Sequence, residues 1–310
     1  MKFDNISTTK LAKICGVSQG TVDRALNNRP GISSATKEKI LNAAKEYGYR
    51  PNIHARSIAG GKSQLIGVVV FDLNNQYFCD ILTSLEGYCS SLGYSTVVMF
   101  TNKDSKKEIE CIKNLYHMSV DGIALFPVNY GEEFENFLIS LNIPIATFGN
   151  KLNNFEYIGI DNKAATSDAI NAVISKGYKN LIYVMPNISS KNAFAQNERV
   201  NTFRDICNSK NLNFKITDID HVEDALKVMK SSAIICPTDI YAIRLFDIAK
   251  KYKAGIIGFD NIRLIDQLNL KLDSVSYDVE SAAKSMIDYI LNDKTDIKPI
   301  NHSIVYRGSL

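Results

Sequence analysis

From Gln64 onward the chain alternates short apolar runs with amphipathic segments, and this alternation restricts the fold more than any other feature of the 310 residues. The runs QLIGVVVF (64–71), YSTVVMF (94–100), DGIALFPV (121–128), IPIATFG (143–149) and EYIGI (156–160) read as strands, with helices expected over about 77–92, 106–118 and 132–141. A second series follows, NLIYVM (180–185), FKITDI (214–219), SAIICP (232–237), AGIIGF (254–259), DSVSYD (273–278) and NHSIVYR (301–307). Helices are expected between them near 162–176, 194–209, 222–230, 239–251, 262–267 and 279–291. Strand–helix alternation of this kind specifies parallel, doubly wound sheets. The strands are too many for one comfortable sheet, so two α/β lobes are expected, joined near residues 160 and 275. Lobes of this type bind ligands at the carboxyl ends of their strands, which here would face each other across a cleft.

The first 62 residues have a different texture. The spacing predicts a helix over Ser7 to Cys15 broken at Gly16-Val17, a second with Ser18 as N-cap running to Leu26, the loop NNRPG, and a third from about Ser33 to Gly48. Leu11, Ile14 and Cys15 form an apolar stripe on the first helix, with Ala12 suited to a close crossing. Val22, Ala25 and Leu26 face inward on the second, and Ile40, Leu41, Ala44 and Tyr47 on the third. Gln19, Gly20, Thr21, Asp23, Arg24 and Asn27 are left outward. A helix, a glycine turn and a polar helix make the outline of a helix-turn-helix reader of the DNA major groove, although other three-helix modules share it. Gln19 suits bidentate pairing with adenine and Arg24 with guanine. Thr21 and Asn27 suit phosphate oxygens, and Ser18, the expected N-cap, belongs to the same candidate DNA-binding set. Residues 1–64 hold 11 Lys/Arg against 4 Asp/Glu, while the remainder holds 25 against 29. A basic head on a mildly acidic body points to a polyanionic partner for the head, the alternative being a basic solvated face.

Other classes find little support. The six cysteines form no CxxC pair or metal-type cluster, so they read as reduced, mostly buried thiols, and no metal or cofactor is expected. No GxGxxG follows the first strand, no phosphate-binding loop occurs, and the four histidines make no evident pair with a nucleophile. An N-terminal signal and a membrane-length apolar run are not visible, so the chain is expected to be cytoplasmic, with no membrane partner.

The stretch GVSQGTVDRALNNRPGISSATKEKILNAAKEYGYRPNIHARSIAGGKSQLIGVVV, from Gly16 to Val70, resembles the head and hinge of LacI/GalR-type transcriptional regulators. The order of strands and helices after it is similar as well. The resemblance implies an all-α helix-turn-helix head at 1–50, a hinge helix and linker at 51–62, and a type I periplasmic-binding-protein-like body at 63–310. The body would divide into an N-lobe of about 63–160 plus 278–300 and a C-lobe of about 161–277 plus the C-terminus. It also implies a homodimer, a palindromic double-stranded DNA operator, and a small-molecule effector, a sugar or sugar derivative.

By position, Gln19, Gly20 and Arg24 occupy the base-reading places. Gly20 offers no side chain, and Asp23 stands where the family usually has Ser, so it turns to Arg24, meets a base edge, or weakens binding. Pro51 to Ala59 match the hinge helix, too short to hold alone. Ile58 falls where a Leu wedges into the minor groove, against the alternative that it packs on its own head. In the body, Asn75, Tyr77 and Phe78 follow the first strand. An amide with two rings suits a sugar, or the rings belong to the first core turn of the next helix; the resemblance of LNNQYF to a loop of pentose-binding periplasmic proteins favours ligand contact. Arg199 and Asp260 together would recognise vicinal hydroxyls, or else simply pair with each other. Asn162, Thr238 and Tyr277 fall at cleft-facing strand ends. Thr238 replaces an Asn of the pentose binders, Tyr277 a Gln, and Gly149-Asn150 an Asp-Arg pair, so a ligand other than ribose is expected. The competing readings are a cytoplasmic α/β enzyme or a binding protein without an operator.

Overall fold

The computed structural model describes residues 6–26, 28–49, 62–186, 193–292 and 298–310. It falls into two compact units, Met1–Ser63 and Gln64–Leu310.

The head has three helices, α1 (Thr8–Cys15), α2 (Gln19–Leu26) and α3 (Ser34–Glu46). Each starts on a serine. The Ser7 hydroxyl accepts from Lys10 N at 3.2 Å, that of Ser18 from Thr21 N at 3.2 Å, and that of Ser33 from Thr36 N at 3.2 Å, so each cap relieves one orphan donor of a helix start. Gly16, at φ 65°, ends α1 in the left-handed region that a side chain would disfavour. Leu11, Ala12, Cys15, Val22, Ala25, Ile40 and Ala44 form the core.

Three residues expected in that core lie on the surface: Ile14, Leu41 and Tyr47 are 39%, 42% and 46% exposed. The buried stripe of the head, which includes Ala12, Ala25 and Ala44, is narrower than the apolar spacing suggests. Tyr49 takes the place expected of Tyr47. Gly48 turns left-handed at φ 63°, Tyr49 N donates to Ala44 O at 2.8 Å, and the ring folds back onto the core. This is a Schellman closure with its apolar residue just beyond the turn.

The body holds two sheets. The first comprises β1 (Leu65–Val70), β2 (Ser95–Phe100), β3 (Gly122–Leu125), β4 (Ile145–Phe148) and β5 (Tyr157–Ile158), all parallel in the order β2-β1-β3-β4-β5. The helices α4 (Gln76–Ser91), α5 (Ser105–His117) and α6 (Glu132–Ser140) connect its strands. The second sheet comprises β6 (Asn180–Val184), β7 (Asn213–Thr217), β8 (Ser232–Ile235), β9 (Gly255–Phe259), β10 (Asp273–Tyr277) and β11 (His302–Val305). Its order is β11-β10-β9-β8-β6-β7, and only the β10–β11 pairing is antiparallel. Around it run α7 (Asn162–Ser175), α8 (Phe194–Ser209), α9 (Val222–Val228), α10 (Asp239–Tyr252) and the short α11 (Leu264–Gln267). The last helix, α12 (Val279–Asn292), packs against α4, β3 and β4 of the first sheet. The chain therefore crosses between the sheets after β5 and again around β10. Buried Val, Ile and Leu fill the central strands, as sheets covered on both faces require.

Two buried carboxylates fix the loops at the carboxyl ends of β3 and β4. Glu108 on α5 accepts from Val128 N at 2.7 Å, Asn129 N at 2.8 Å and Asn129 Nδ2 at 2.7 Å. Glu135 on α6 accepts from Asn153 N at 3.1 Å, Asn154 N at 2.8 Å and Asn154 Nδ2 at 2.7 Å. In both cases a helix reaches over and holds the turn that leaves the strand after it. All six cysteines are free; five are buried and Cys79 is partly exposed.

Candidate functional site

On the head, Ser18, Gln19, Gly20 and Arg24 are exposed along one side of α2 and Thr21 is half-buried. Ser18 spends its hydroxyl on the start of α2, where it also lies 2.9 Å from the Thr21 hydroxyl. The Gln19 amide donates to Thr9 Oγ1 of α1, which holds the two helices in register. Asp23 pairs with Arg29 Nη1 at 3.0 Å. Of the alternatives open for this carboxylate, the fold takes one the sequence did not suggest, because the backbone of Arg29 is drawn onto the end of α2 through a 2.9 Å bond to Arg24 O. Asn27, Ile58 and the segment 51–61 lie outside the described residues.

In the body, a cavity of about 310 Å³ opens where the carboxyl ends of the two sheets converge. Asn75, Tyr77, Phe78, Asn150, Asn162, Arg199, Thr238 and Asp260 all line it. They come from the loop after β1, the start of α4, the loop after β4, the start of α7, α8, the start of α10 and the loop after β9, and meet for the reason given by the topology: strand ends at a crossover leave a crevice. Tyr277 does not line it. Its ring lies behind Tyr77, centroids 5.8 Å apart, with the Arg199 guanidinium 5.9 Å away, because β10 is an inner strand whose last residue is covered. Burial raises its hydroxyl pKa far above the usual range.

Arg199 is 5% exposed. Its Nε donates to Asn162 Oδ1 at 2.9 Å and its Nη1 to Pro237 O at 3.0 Å, and its Cζ lies 4.6 Å from the centre of the Phe259 ring. Among the described residues Arg199 makes no ion pair with Asp260. Asp260 instead accepts from Asn75 Nδ2 at 2.6 Å. Burial pushes the Asp260 carboxyl up to about 6, partly opposed by the Arg199 charge and the Asn75 bond. Its backbone sits at φ 101°, a conformation uncommon outside glycine.

Asn75 lines the cavity and also serves the protein: its Oδ1 caps α4 by accepting from Tyr77 N at 3.1 Å, and its Nδ2 donates one hydrogen bond to Asp260 at 2.6 Å. Tyr77 and Phe78 satisfy both readings of their position at once: they form the first turn of α4 on the core and also wall the cavity. Asn150 donates through Nδ2 to Pro127 O at 3.0 Å. Thr238 precedes α10 and makes no side-chain cap bond.

Sequence reasoning missed several wall residues, among them Phe71, Asp72, Lys103, Tyr157, Gln196 and Tyr241. Asp72 and Lys103 follow the carboxyl ends of β1 and β2, so the strand-end rule applied to every strand finds them. They pair at 2.7 Å; burial raises the Asp72 carboxyl pKa, but the Lys103 contact and the hydrogen bonds from Asn74 together more than reverse this, and the net displacement is downward. Gln196 carries no sequence signal. Around the cavity, three polar contacts tie the first turns of α4 to the loop after β9. Beside Asn75–Asp260, Leu264 N donates to Gln76 Oε1 at 2.9 Å and Arg263 pairs with Asp80 at 2.8 Å. Among the described residues no cluster of His, Cys, Asp or Glu could hold a metal ion, and no helix is long and apolar enough to cross a membrane.

Comparison with known proteins agrees with this build. Residues 10–52 match the family model described as bacterial regulatory proteins, lacI family. Catabolite control protein A of Priestia megaterium is 26% identical over 98% of this chain and 99% of its own length, and that of Staphylococcus aureus (strain COL) 27% identical over 96% and 97%. Among solved structures, a lac repressor dimer bound to operator and an anti-inducer superposes with a TM-score of 0.83 at 16% identity, covering 99% of this chain and all of that one. A periplasmic binding protein/LacI regulator of Alkaliphilus metalliredigens in complex with D-xylulofuranose superposes at 0.68 and 21% identity over 78% of this chain and 97% of that one. With a head that matches the lacI family model, a two-sheet body and relatives that match from end to end, the chain is similar over its whole length to bacterial regulatory proteins of the lacI type.

Proposed function

We propose that this protein is a ligand-responsive transcriptional regulator, acting as a repressor, whose homodimer binds a palindromic operator and whose body senses a sugar or related small metabolite. One observation carries the reading: a single chain joins a capped three-helix head, with Gln19 and Arg24 exposed on its second helix, to a body with a cavity at converging strand ends. Arg24 and Gln19 read bases, Gly20 allows close approach, and Ser18, Thr21 and Asn27 meet phosphates. Residues 51–62 form the hinge, with Ile58 as a minor-groove wedge. The body works as an N-lobe of about 63–160 plus 278–300 and a C-lobe of about 161–277 plus the C-terminus. Effector contacts come from the cavity residues, with Tyr277 supporting Tyr77 and Arg199 from behind. Switching follows from unequal affinity of effector for two lobe arrangements. The protein works in the cytoplasm and is not an enzyme.

The test is selection of duplexes from a random DNA library by the full-length chain. A palindromic consensus is expected, and Arg24→Ala should weaken binding to it by about tenfold or more, the discrimination of one bidentate base contact. Absence of any consensus, or equal binding by Arg24→Ala, overturns the reading.

A further inference from the structure

The outward side of α2 carries a carboxylate to which the regulator reading gives no task. Successive helix residues step by about 100°, so Gly20, Asp23 and Arg24, at i, i+3 and i+4, form one line on the side away from the buried Val22 and Ala25. Asp23 is the one acidic residue among the eight of α2. Gly20 has no side chain and lets the backbone approach a duplex closely. That brings Asp23, one turn further on, nearer to phosphates that repel it.

The fold meets this charge with Arg29. Its Nη1 donates to Asp23 Oδ2 at 3.0 Å. The arginine is anchored at its other end as well, because its backbone N donates to Arg24 O at 2.9 Å. Asn28, in the left-handed region at φ 52°, makes the turn that brings it there. The Arg29 side chain is 64% exposed, and its Nε and Nη2 have no partner among the described residues. These two atoms present parallel donors on one edge of the planar fork.

An exposed ion pair of this kind contributes little to stability. It also weakens simple attraction to phosphate, since a paired carboxylate cancels much of the arginine's charge at a distance. What the pair keeps is direction. Direction gains little on a phosphate, which positions the protein without reading sequence, but it decides the fit to a base edge, where the acceptors are fixed. Guanine, with O6 and N7 side by side in the major groove, matches two parallel donors.

We propose that Arg29, oriented by Asp23, reads a guanine in each half-site of the operator, a base contact additional to those of Gln19 and Arg24, and that Asp23 is its positioning residue. The inference rests on the proposed regulator reading and adds to its DNA contacts.

The experiment repeats the random-duplex selection with full-length wild type, Arg29→Ala, Asp23→Ser and the double variant, and measures each on the wild-type consensus and on duplexes changed one position at a time. Both side chains are exposed, so the variants keep the core of the head intact. Arg29→Ala should lose a preference of about tenfold at one guanine of each half-site and keep the rest of the consensus. Asp23→Ser should weaken the preference at that same position, and the double variant should lose no more than Arg29→Ala, as residues acting as one unit do. An unchanged consensus in both single variants overturns the inference. So does uniform weakening in Arg29→Ala with a salt slope reduced by about one, the mark of a phosphate contact. A loss at a different position in Asp23→Ser gives the carboxylate a base of its own and overturns the inference too. A wild-type chain that selects no consensus overturns the regulator reading as well, whereas a consensus that depends on Arg24 but not on Arg29 or Asp23 overturns this inference alone.

Discussion

Asp260→Asn should make the body more stable at neutral pH while removing an effector contact. In the folded protein the Asp260 carboxyl stands at about 6 against an ordinary 3.8, because burial disfavours its charge more than Arg199 and Asn75 favour it. A displacement of about two pH units corresponds to about 3 kcal/mol. For a carboxyl raised on folding, the stabilising contribution is full below pH 3.8 and is lost as pH rises through about 6, so at pH 8 the wild-type chain carries the whole deficit. Asparagine resembles the protonated acid, retains an oxygen for Asn75 Nδ2, and tolerates the φ of 101° as well as aspartate does. The deficit of about 3 kcal/mol is an upper bound on the gain, and a melting temperature about 5 °C higher at pH 8 is expected for a domain of this size. Differential scanning fluorimetry of both proteins between pH 4 and pH 8 reads the effect. The gap should close as pH falls to 4. A variant less stable than wild type at pH 8, or a gap that does not change with pH, refutes the argument. If it holds, the site stores instability that ligand hydroxyls relieve, a common exchange of stability for function.

Two further perturbations separate the units and the loops. Ile40→Ala removes a fully buried side chain from the small head core and should cost about 2–5 kcal/mol there. That is enough to melt the head while the body's own transition stays in place, as circular dichroism and proteolysis would register. Glu108→Gln preserves shape but sets an amide donor against donors from Val128 and Asn129, at a cost of about 1–3 kcal/mol. Because Pro127 in the same loop holds Asn150, effector affinity should fall as well, whereas an unchanged affinity and denaturant midpoint would contradict the clamp.

Much of this molecule was legible in its sequence because its devices are local. Serines at 7, 18 and 33 announce helix starts, glycines at 16 and 48 announce stops, and the apolar runs from 65 onward are too regular for anything but strands under helices. Eight of the nine residues predicted for the ligand site line the cavity, seven of them just past strand ends and Arg199 on a helix. The failures share one cause, which is that the deciding partner is far away in sequence. Tyr277 is covered by Tyr77 from another element, and Asp23 is taken up by an arginine in the next loop. Spacing within a segment also could not show that the buried stripe of the head is narrow enough to leave Ile14 and Leu41 on the surface.

The three links between the first turns of α4 and the loop after β9 have a mechanical consequence. Arg263 is 65% exposed on its side chain, so its pair with Asp80 contributes less than about 1 kcal/mol. The Gln76 and Asn75 bonds add about 1 kcal/mol each, with somewhat more where the charge of Asp260 is involved. Together they form a clasp of only a few kcal/mol, less than the roughly 5.5 kcal/mol needed to drive a two-state equilibrium from one extreme to the other. A clasp that weak acts as a detent rather than a lock. On the proposed regulator reading, it would favour one arrangement of the two lobes yet leave that arrangement within reach of a ligand of ordinary affinity. One of its three teeth, Asp260, also lines the cavity, so on that reading a bound effector would touch the clasp directly.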